Sequence, residues 1–298
     1  MRSGSSPLQR VLELMPDLQV RSLRAGDDGL VNDVLIVNEE LVFRFAPTEA
    51  ARQALEREAR LLALVRPRVS LTVPEVIQQH DDCMVCRFIP GVPLDRERLL
   101  AQDPSTCQAI LQQLGRFLHE LHSVPIGAIG AVNHPSRSSG TKDEYEELYQ
   151  TLERELFPAM MAWARDWARR LFRPLLEGEL DLNHTPAMIH GDLTPYHLSY
   201  DPVTQRLRGV IDFGNAGPGD PALDLGSIIT AFGESLLGQM HTAYPGISDM
   251  LDRARFHTAT LELRWALAAL RSRDPAWFLC HLGYARDSWP LGWRGKRA

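Results

Sequence analysis

Two aspartates each follow a short apolar run and stand in turn-like sequence. Asp192 is the third residue of His-Gly-Asp-Leu-Thr-Pro-Tyr-His at 190–197, and Asp212 begins Asp-Phe-Gly after the strand-like run 207–211. A carboxylate at the first position can accept the proton of a substrate hydroxyl, and one at the second can hold Mg²⁺ on nucleotide phosphates. Each motif alone would fit a β-hairpin with solvated aspartates in its turns. Together they predict phosphoryl transfer, with Asp192 as the catalytic residue and Asp212 as a metal ligand.

His197 occupies the position at which protein kinases with this pair of motifs carry an asparagine. Mg²⁺ favours oxygen ligands, and imidazole is a softer donor that is commoner on zinc and later transition metals. A neutral His197 could still supply one bond, with water and phosphate oxygens completing the coordination. Alternatively, it only orders the loop and leaves Asp212 as the main metal anchor. We favour metal ligation by His197.

A kinase of this type also needs a cation on its third strand, paired with a carboxylate from the following helix. The two lysines, Lys142 and Lys296, both lie far beyond that region, so Arg44 is the candidate cation. Glu58 is its expected partner, because Glu56 lies about 200° away around the helix and faces elsewhere. A guanidinium can bind carboxylate and phosphate through its planar fork. The alternative is a strand-edge arginine in solvent.

Gly26 and Gly29 lie in the segment 25–32, Ala-Gly-Asp-Asp-Gly-Leu-Val-Asn, between the first two predicted strands. Glycines let a backbone approach phosphates closely, but this is a loose version of a Gly-rich loop. The aspartates at 27 and 28 would repel a polyphosphate unless both point away. The segment fits a nucleotide flap and an ordinary hairpin turn equally well.

The first part of the chain has the pattern of a small mixed lobe. A helical repeat starts near Thr48, ends before Pro67 and separates two groups of β-rich runs. This order predicts an antiparallel sheet plus a packed helix. The expected strands cover residues 20–23, 31–37, 41–45, 73–77 and 84–89.

Pro-Gly-Val-Pro at 90–93 marks a strong break, and the chain beyond it is mainly helical. We therefore predict an α+β, bilobal protein-kinase-like fold. Residues 1–89 should form the N-terminal nucleotide-binding lobe, and residues 90–298 the larger catalytic and substrate-binding lobe. The hinge is expected at about residues 87–93.

Four polar residues of the second lobe are expected to be structural. Asp220 precedes a proline and should cap the helix that follows, with Asp224 serving structure rather than chemistry. His119 and His122 stand three residues apart, which is not the spacing of an H-E-x-x-H metal motif.

The bulk composition is that of a globular protein without nucleic-acid or membrane partners. The 298 residues are 44% hydrophobic and 23% charged, with a net charge of −6. Excess negative charge disfavours nucleic acid, no apolar run approaches the length of a membrane span, and the N-terminus has no apolar secretory core. We expect a cytoplasmic monomer.

Cys83 and Cys86 form a C-x-x-C motif, which could indicate zinc or redox chemistry. The chain has no second such pair, and the surrounding residues have the pattern of a buried strand. We favour the buried strand, since free cysteine behaves as a small hydrophobic residue.

Over nearly its whole length the chain resembles the aminoglycoside phosphotransferase family of antibiotic kinases. The resemblance implies a kinase-like fold with nucleotide between the lobes, Asp192 as the catalytic aspartate, and His197 and Asp212 as the Mg²⁺ ligands. The matching segments are 41–45, Glu58 with the leucines at 61 and 62, 88–94, 114–122, 190–197 and 209–224.

The same resemblance assigns the nucleotide contacts. Arg44 and Glu58 would hold the phosphates of ATP or GTP. The hinge backbone at Arg87, Phe88 and Ile89 would receive the purine. The choice between ATP and GTP stays open at this point.

By its motifs the chain is closest to the aminoglycoside 2″-phosphotransferases, which implies transfer of the γ-phosphate to an aminoglycoside hydroxyl and antibiotic resistance. Macrolide 2′-phosphotransferases are similar too, with an arginine on the third strand and a histidine in the loop. Glu234 is the only acid in the apolar run 227–234, which would suit a macrolide at least as well. Glu262 and Trp265 could line either pocket, although all three residues also fit ordinary helix surface and core.

Two further hypotheses stay open. One is a metabolic small-molecule kinase that acts on choline, homoserine or a sugar. The other is a pseudokinase-like nucleotide-binding module, which the replacements Arg44 and His197 suggest. Retention of both Asp192 and Asp212 favours an active enzyme.

Overall fold

The computed structural model describes residues 6–26, 33–129 and 139–272. An antiparallel sheet of five strands, in the order β1-β2-β3-β5-β4, forms the N-terminal lobe. The structure confirms the α+β class predicted from the sequence. The strands are β1 (Leu23–Ala25), β2 (Asp33–Val37), β3 (Leu41–Phe45), β4 (Val76–Gln79) and β5 (Cys83–Arg87).

The central strand β3 presents its two faces to different helices. Phe43 and Phe45 are buried together with Val11 of α1 (Pro7–Leu14). Arg44 points to the opposite face, because successive strand residues alternate. That face is covered by α2 (Glu49–Val65), whose apolar residues pack on β5 beside the position paired with Arg44.

Helix α2 delivers a carboxylate to this face of the sheet. It begins where the Thr48 hydroxyl accepts a hydrogen bond from the Ala51 amide at 3.2 Å, an N-cap. Ala51 and Leu55 start a buried stripe that recurs at helical spacing. Glu58 falls on this stripe and is 2% exposed, so it must face Arg44 rather than solvent.

The C-terminal lobe is built around α4 (Pro104–His122), whose apolar stripe is fully buried in the main core. No helix of the described residues is both long and apolar enough to cross a membrane. The other helices in this part are α3 (Arg96–Leu100), α5 (Lys142–Thr151), α6 (Ala162–Leu176), α7 (Ala222–Phe232), α8 (Glu234–Leu237) and α9 (Leu251–Ser272).

Two small sheets in this lobe hold the loops that carry Asp192 and Asp212. In the first, β6 (Val92–Pro93), β8 (Leu198–Asp201) and β9 (Arg206–Val210) lie in the order β6-β8-β9. In the second, β7 (Ala187–Ile189) pairs antiparallel with β10 (Gly217–Gly219). Since one loop leaves β7 and the other enters β10, the two aspartate loops are held side by side.

Strands β1 and β4 begin about three residues later than the sequence pattern predicts. The amides of Arg21 and Ser22 donate to the Asn38 side chain at 2.7 and 3.1 Å, so that segment is held by a side chain before the ladder starts. Thr72 bonds to β9 instead of the large sheet, through its amide to Arg208 and its carbonyl to Val210. Contacts between distant segments therefore displace both strand starts.

Asp220 caps α7 and also anchors a buried polar cluster. Its carboxylate accepts from the Ala222 amide at 3.0 Å, which agrees with the predicted capping role. His257 Nε2 donates to the same carboxylate at 3.1 Å, and the Tyr145 hydroxyl lies 2.6 Å from His257 Nδ1. Arg253 adds an ion pair at 2.8 Å. The cluster ties α5 and α9 to the start of α7.

Cys83 and Cys86 are both buried in β5, which supports the interpretation as a buried strand. The two side chains point to opposite faces of the sheet, Cys83 beside Phe43 and Cys86 beside Met84. Residues three apart on a strand cannot chelate one metal ion together.

We expect both thiols to be inert in the folded protein. Burial raises the pKa of Cys83 and of Cys86 to about 12. At pH 8 the thiolate fraction is then about 10⁻⁴, against about 0.2 for an ordinary thiol. Alkylation by iodoacetamide, followed by peptide mass spectrometry, should be at least about 100-fold slower in native than in urea-unfolded protein. Rapid labelling of the native protein would contradict this burial.

Candidate active site

The turn that carries Asp192 is held by a buried carboxylate of α7. Asp224 accepts hydrogen bonds from the amides of His190 and Gly191, both at 2.8 Å. Gly191 has a φ of 76°, and a Cβ there would lie 2.7 Å from the carbonyl oxygen of Asn215. Glycine is therefore required where the two aspartate loops touch.

The Asp192 carboxylate is oriented but not neutralised. It is partly buried and accepts a hydrogen bond from the Asn215 side-chain amide at 3.2 Å. No arginine, lysine or histidine of the described ranges forms an ion pair with it. A carboxylate in this state can accept a proton from a neighbouring hydroxyl. The sequence reading missed Asn215, although its place directly after Asp-Phe-Gly is a usable signal.

His197 and Asp212 bring a ring nitrogen close to a carboxylate oxygen. The Nδ1–H of His197 donates to the carbonyl oxygen of Asp192 at 2.6 Å, so that in a neutral ring the lone pair would lie on Nε2. This Nε2 lies 3.5 Å from Oδ2 of Asp212. Two such electron-rich atoms repel each other unless a cation or a proton lies between them.

These two side chains fit an ion that arrives with a nucleotide. The described residues contain no cluster of three or more His, Cys, Asp or Glu side chains that could hold a metal ion alone. Mg²⁺ usually takes one or two protein ligands and completes its octahedron with waters and substrate phosphates. Asp212, 41% exposed, with His197 beside it, suits such a partial ligand set better than a closed zinc site.

Arg44 reaches from β3 to carboxylates on two different elements. One nitrogen of its guanidinium contacts Glu58, and another lies 3.4 Å from Oδ1 of Asp212. Burial acts to lower the pKa of Arg44, but the two carboxylates outweigh it and raise that pKa. The side chain is only 16% exposed, so it is not a strand-edge arginine in solvent.

His190 links the two aspartate loops, a role that the sequence reading did not assign. Its Nε2–H donates to the Ile211 carbonyl at 3.0 Å, and its Nδ1 accepts from the Asp192 amide at 3.3 Å. Burial lowers the pKa of His190, which favours the neutral ring that both bonds require. Because Ile211 directly precedes Asp212, this ring fixes the spacing of the two aspartates.

Arg87, Phe88 and Ile89 connect β5 to the C-terminal lobe. The Phe88 amide donates to the Glu40 carbonyl at 2.8 Å, and Arg87 pairs with Glu75 at 2.8 Å. Within the described part of the chain, the Phe88 carbonyl and the Ile89 amide have no hydrogen-bond partner. An adjacent acceptor and donor of this kind can pair with the edge of a planar base.

Gly26 continues the line of β1 along β2. Its amide donates to the Val34 carbonyl at 2.9 Å, and a Cβ at this position would lie 2.7 Å from the Val34 side chain. Close packing on β2 is sufficient to require this glycine. Gly29 lies outside the described residues.

The arrangement has counterparts in known proteins. Residues 22–257 match the model of the APH phosphotransferase enzyme family. The chain belongs to this family. Viomycin phosphotransferase of Streptomyces vinaceus is 29% identical over 286 residues, which cover 89% of this chain and 96% of the relative.

Two solved structures show the same fold. The GDP and kanamycin complex of APH(2″)-IIIa has a TM-score of 0.83 at 22% identity, with 93% of this chain and 95% of that chain covered. Macrolide 2′-phosphotransferase type I has a TM-score of 0.74 at 19% identity, with 94% and 97% covered.

Three acceptor-site candidates of this phosphotransferase have no described hydrogen bond or ion pair with Asp192 or Asp212. Glu234 forms hydrogen-bonded ion pairs with Arg255 at 2.5 and 3.0 Å, and the Arg255 guanidinium lowers the pKa of Glu234. Glu262 and Trp265 lie partly buried on α9. None of these three residues takes part in the hydrogen bonds or ion pairs that the structure describes for Asp192 and Asp212.

Loss of Arg44 should destabilise the phosphotransferase, because it leaves the buried carboxyl of Glu58 without its partner. We expect Arg44→Ala to lower the free energy of unfolding by about 3 kcal/mol, and the double variant with Glu58→Ala to lose less than the sum of the single losses. Urea denaturation of the four proteins measures this coupling. Arg60→Ala, which breaks an exposed pair with Glu56, is the matched control and should change little. Additive losses would rule out a coupled pair.

Proposed function

We propose that this chain is an antibiotic kinase that transfers the γ-phosphate of ATP or GTP to a hydroxyl of an aminoglycoside and so confers resistance. One observation carries the proposal: the Asp192 carboxylate has no cation partner among the described residues and belongs to the loop whose backbone holds His197, and His197 faces Asp212, which Arg44 joins to Glu58. Similarity to viomycin phosphotransferase supports an antibiotic as the acceptor, and a kanamycin-bound fold neighbour supports an aminoglycoside.

In this proposal each group has one task. Asp192 orients the acceptor hydroxyl and takes its proton as the oxygen bonds to the γ-phosphorus and the bond from that phosphorus to the leaving nucleoside diphosphate breaks, while Asn215 holds the carboxylate in place. His197 and Asp212 would hold Mg²⁺, which would neutralise charge on the phosphates. Arg44, fixed by Glu58, binds phosphate oxygens through its fork.

We assign the purine to the hinge backbone at Arg87, Phe88 and Ile89, where the unpaired Phe88 carbonyl and Ile89 amide supply an acceptor and a donor. Residues 1–89 then form the nucleotide-binding lobe and residues 90–298 the catalytic and substrate-binding lobe. We also propose a cytoplasmic monomer that acts on free small molecules, and its net charge of −6 disfavours nucleic acid as a partner.

A macrolide is the second candidate acceptor, and Glu234 is the reason. The arginine that pairs with this glutamate satisfies its charge, so the most obvious acid for a polycationic sugar is already engaged. The α7 residues Ile229 and Ala231 are apolar and only partly buried, and a macrolide phosphotransferase shares the fold.

A transfer assay decides between these acceptors. The purified protein is incubated with labelled ATP or GTP and with a panel of kanamycin-type and gentamicin-type aminoglycosides, macrolides and viomycin. We expect labelled product with at least one aminoglycoside. Transfer to macrolides alone would select the second candidate. If none of the tested antibiotics is phosphorylated, the proposal is wrong.

Asp192→Ala should remove catalysis but spare nucleotide binding. Loss of a general base typically costs about 10²- to 10⁴-fold in rate, and we expect kcat to fall within this range. Nucleotide affinity, measured by calorimetry, should change less than about threefold. Asp249→Ala, an exposed carboxylate in the turn before α9, is the control and should keep normal turnover. Persistent turnover in Asp192→Ala would show that the base is elsewhere.

The Mg²⁺ dependence of His197 variants separates metal ligation from loop ordering. If His197 is a ligand, His197→Ala should raise the Mg²⁺ concentration for half-maximal rate, while His197→Asn should restore much of it through an amide oxygen. A titration of rate against Mg²⁺ measures both. An unchanged Mg²⁺ midpoint with a lower maximal rate would assign His197 to loop ordering alone.

A further inference from the structure

Two buried tyrosine–histidine–aspartate relays end on α7 and on the turn that precedes it. In the first, the Tyr244 hydroxyl lies 2.8 Å from His122 Nδ1, and His122 Nε2 lies 3.1 Å from Asp224. In the second, Tyr145, His257 and Asp220 repeat the same order of groups. Only the first relay ends on the carboxylate that holds the backbone of the catalytic turn.

Asp224 depends on hydrogen-bond donors rather than on a cation. It is fully buried, and no arginine or lysine of the described ranges pairs with it. Its partners are the amides of His190 and Gly191 and the ring of His122. A buried carboxylate needs such donors to stay ionised. Burial acts to raise the pKa of Asp224, but the bond from His122 in particular holds that pKa below its ordinary value.

Tyr244 gives the relay its direction. Burial raises the pKa of Tyr244 to about 12, so its hydroxyl keeps its proton at neutral pH. The Asp224 carboxylate only accepts, so Nε2 of His122 carries a proton, and in the neutral ring Nδ1 then accepts from the Tyr244 hydroxyl. The relay thus sets the His122 tautomer that Asp224 requires.

We propose that His122 and Tyr244 are positioning residues for phosphoryl transfer, acting through Asp224 on the catalytic turn. This inference rests on the proposed function of Asp192. The turn has little freedom, since Gly191 has a positive φ and lies against the Asn215 carbonyl. A shift of Asp224 therefore displaces Asp192 together with its partner Asn215, and the acceptor hydroxyl loses its alignment.

The second relay supplies a matched control. Tyr145→Phe removes the same hydroxyl from the same kind of histidine, in an equally buried setting. Asp220, however, is also paired with Arg253 and has no hydrogen bond to His190 or Gly191. A general loss of packing would affect both tyrosine variants alike, and a positioning role would affect Tyr244→Phe alone.

The kinetic test compares Tyr244→Phe, Tyr145→Phe and His122→Ala with the wild-type protein. We expect kcat to fall about 2- to 12-fold in Tyr244→Phe, the range that one neutral hydrogen bond carries. In His122→Ala it should fall about 10- to 100-fold, as when an outer partner of a catalytic group is removed. KM for both substrates should change less than about twofold, and Tyr145→Phe should keep the wild-type kcat. Equal kcat losses in the two tyrosine variants would overturn the proposal.

Hydrogen exchange gives a second readout that needs no turnover. The amides of His190 and Gly191 should exchange faster in Tyr244→Phe than in Tyr145→Phe, measured by mass spectrometry on a peptide that spans residues 184–198. Unchanged exchange would overturn the proposal even if His122→Ala fails to fold. A wild-type protein that phosphorylates no antibiotic would refute the proposed function, and the exchange result would still decide whether the relay holds the turn.

Discussion

The site depends first on the guanidinium of Arg44, which joins two buried or half-buried carboxylates from separate lobes. Glu58 is 2% exposed, and a carboxylate so placed is costly unless a cation meets it. A lysine ammonium is a point charge, whereas the arginine fork can contact Glu58 with one nitrogen and Asp212 with another. The same side chain therefore couples the sheet, helix α2 and the loop that carries Asp212. Replacement of lysine by arginine at this position is therefore consistent with an active kinase and does not imply an inactive, pseudokinase-like site.

The aspartates at 212, 220 and 224 have different roles because their partners differ. Asp212 faces Arg44 and His197 and remains 41% exposed, so it can still meet a ligand. Asp220 is buried against Arg253 and His257 and belongs to the packing of α9. Among the described residues, Asp224 meets only N–H donors, and it holds the backbone turn before Asp192. Residue type alone cannot separate these tasks, since burial and the nature of the partner set them.

The sequence predicts the structural features that depend on local periodicity. It predicts fewer of the features that depend on contacts between distant segments. Helical spacing puts Glu58 on the buried stripe of α2, while Glu56 faces outward and pairs with Arg60. The starts of β1 and β4 are displaced by contacts from Asn38 and Thr72, which no local pattern contains. Likewise, Asn215 and His190 acquire their roles only when the two aspartate loops lie side by side. Motif spacing therefore identifies the charged groups of the candidate site, and tertiary structure identifies what orients them.

The pairing of Glu234 with Arg255 does not by itself exclude a cationic acceptor. Both side chains are substantially exposed, 42% for the glutamate and 50% for the arginine. Ion pairs this open to water are worth at most about 1 kcal/mol, so a substrate ammonium could displace the arginine at little cost. For the same reason, this glutamate alone could contribute little selectivity for an aminoglycoside over a neutral sugar. Discrimination would then depend on how well the rest of the acceptor aligns one hydroxyl with Asp192, because misalignment of a reacting group costs far more than one exposed ion pair.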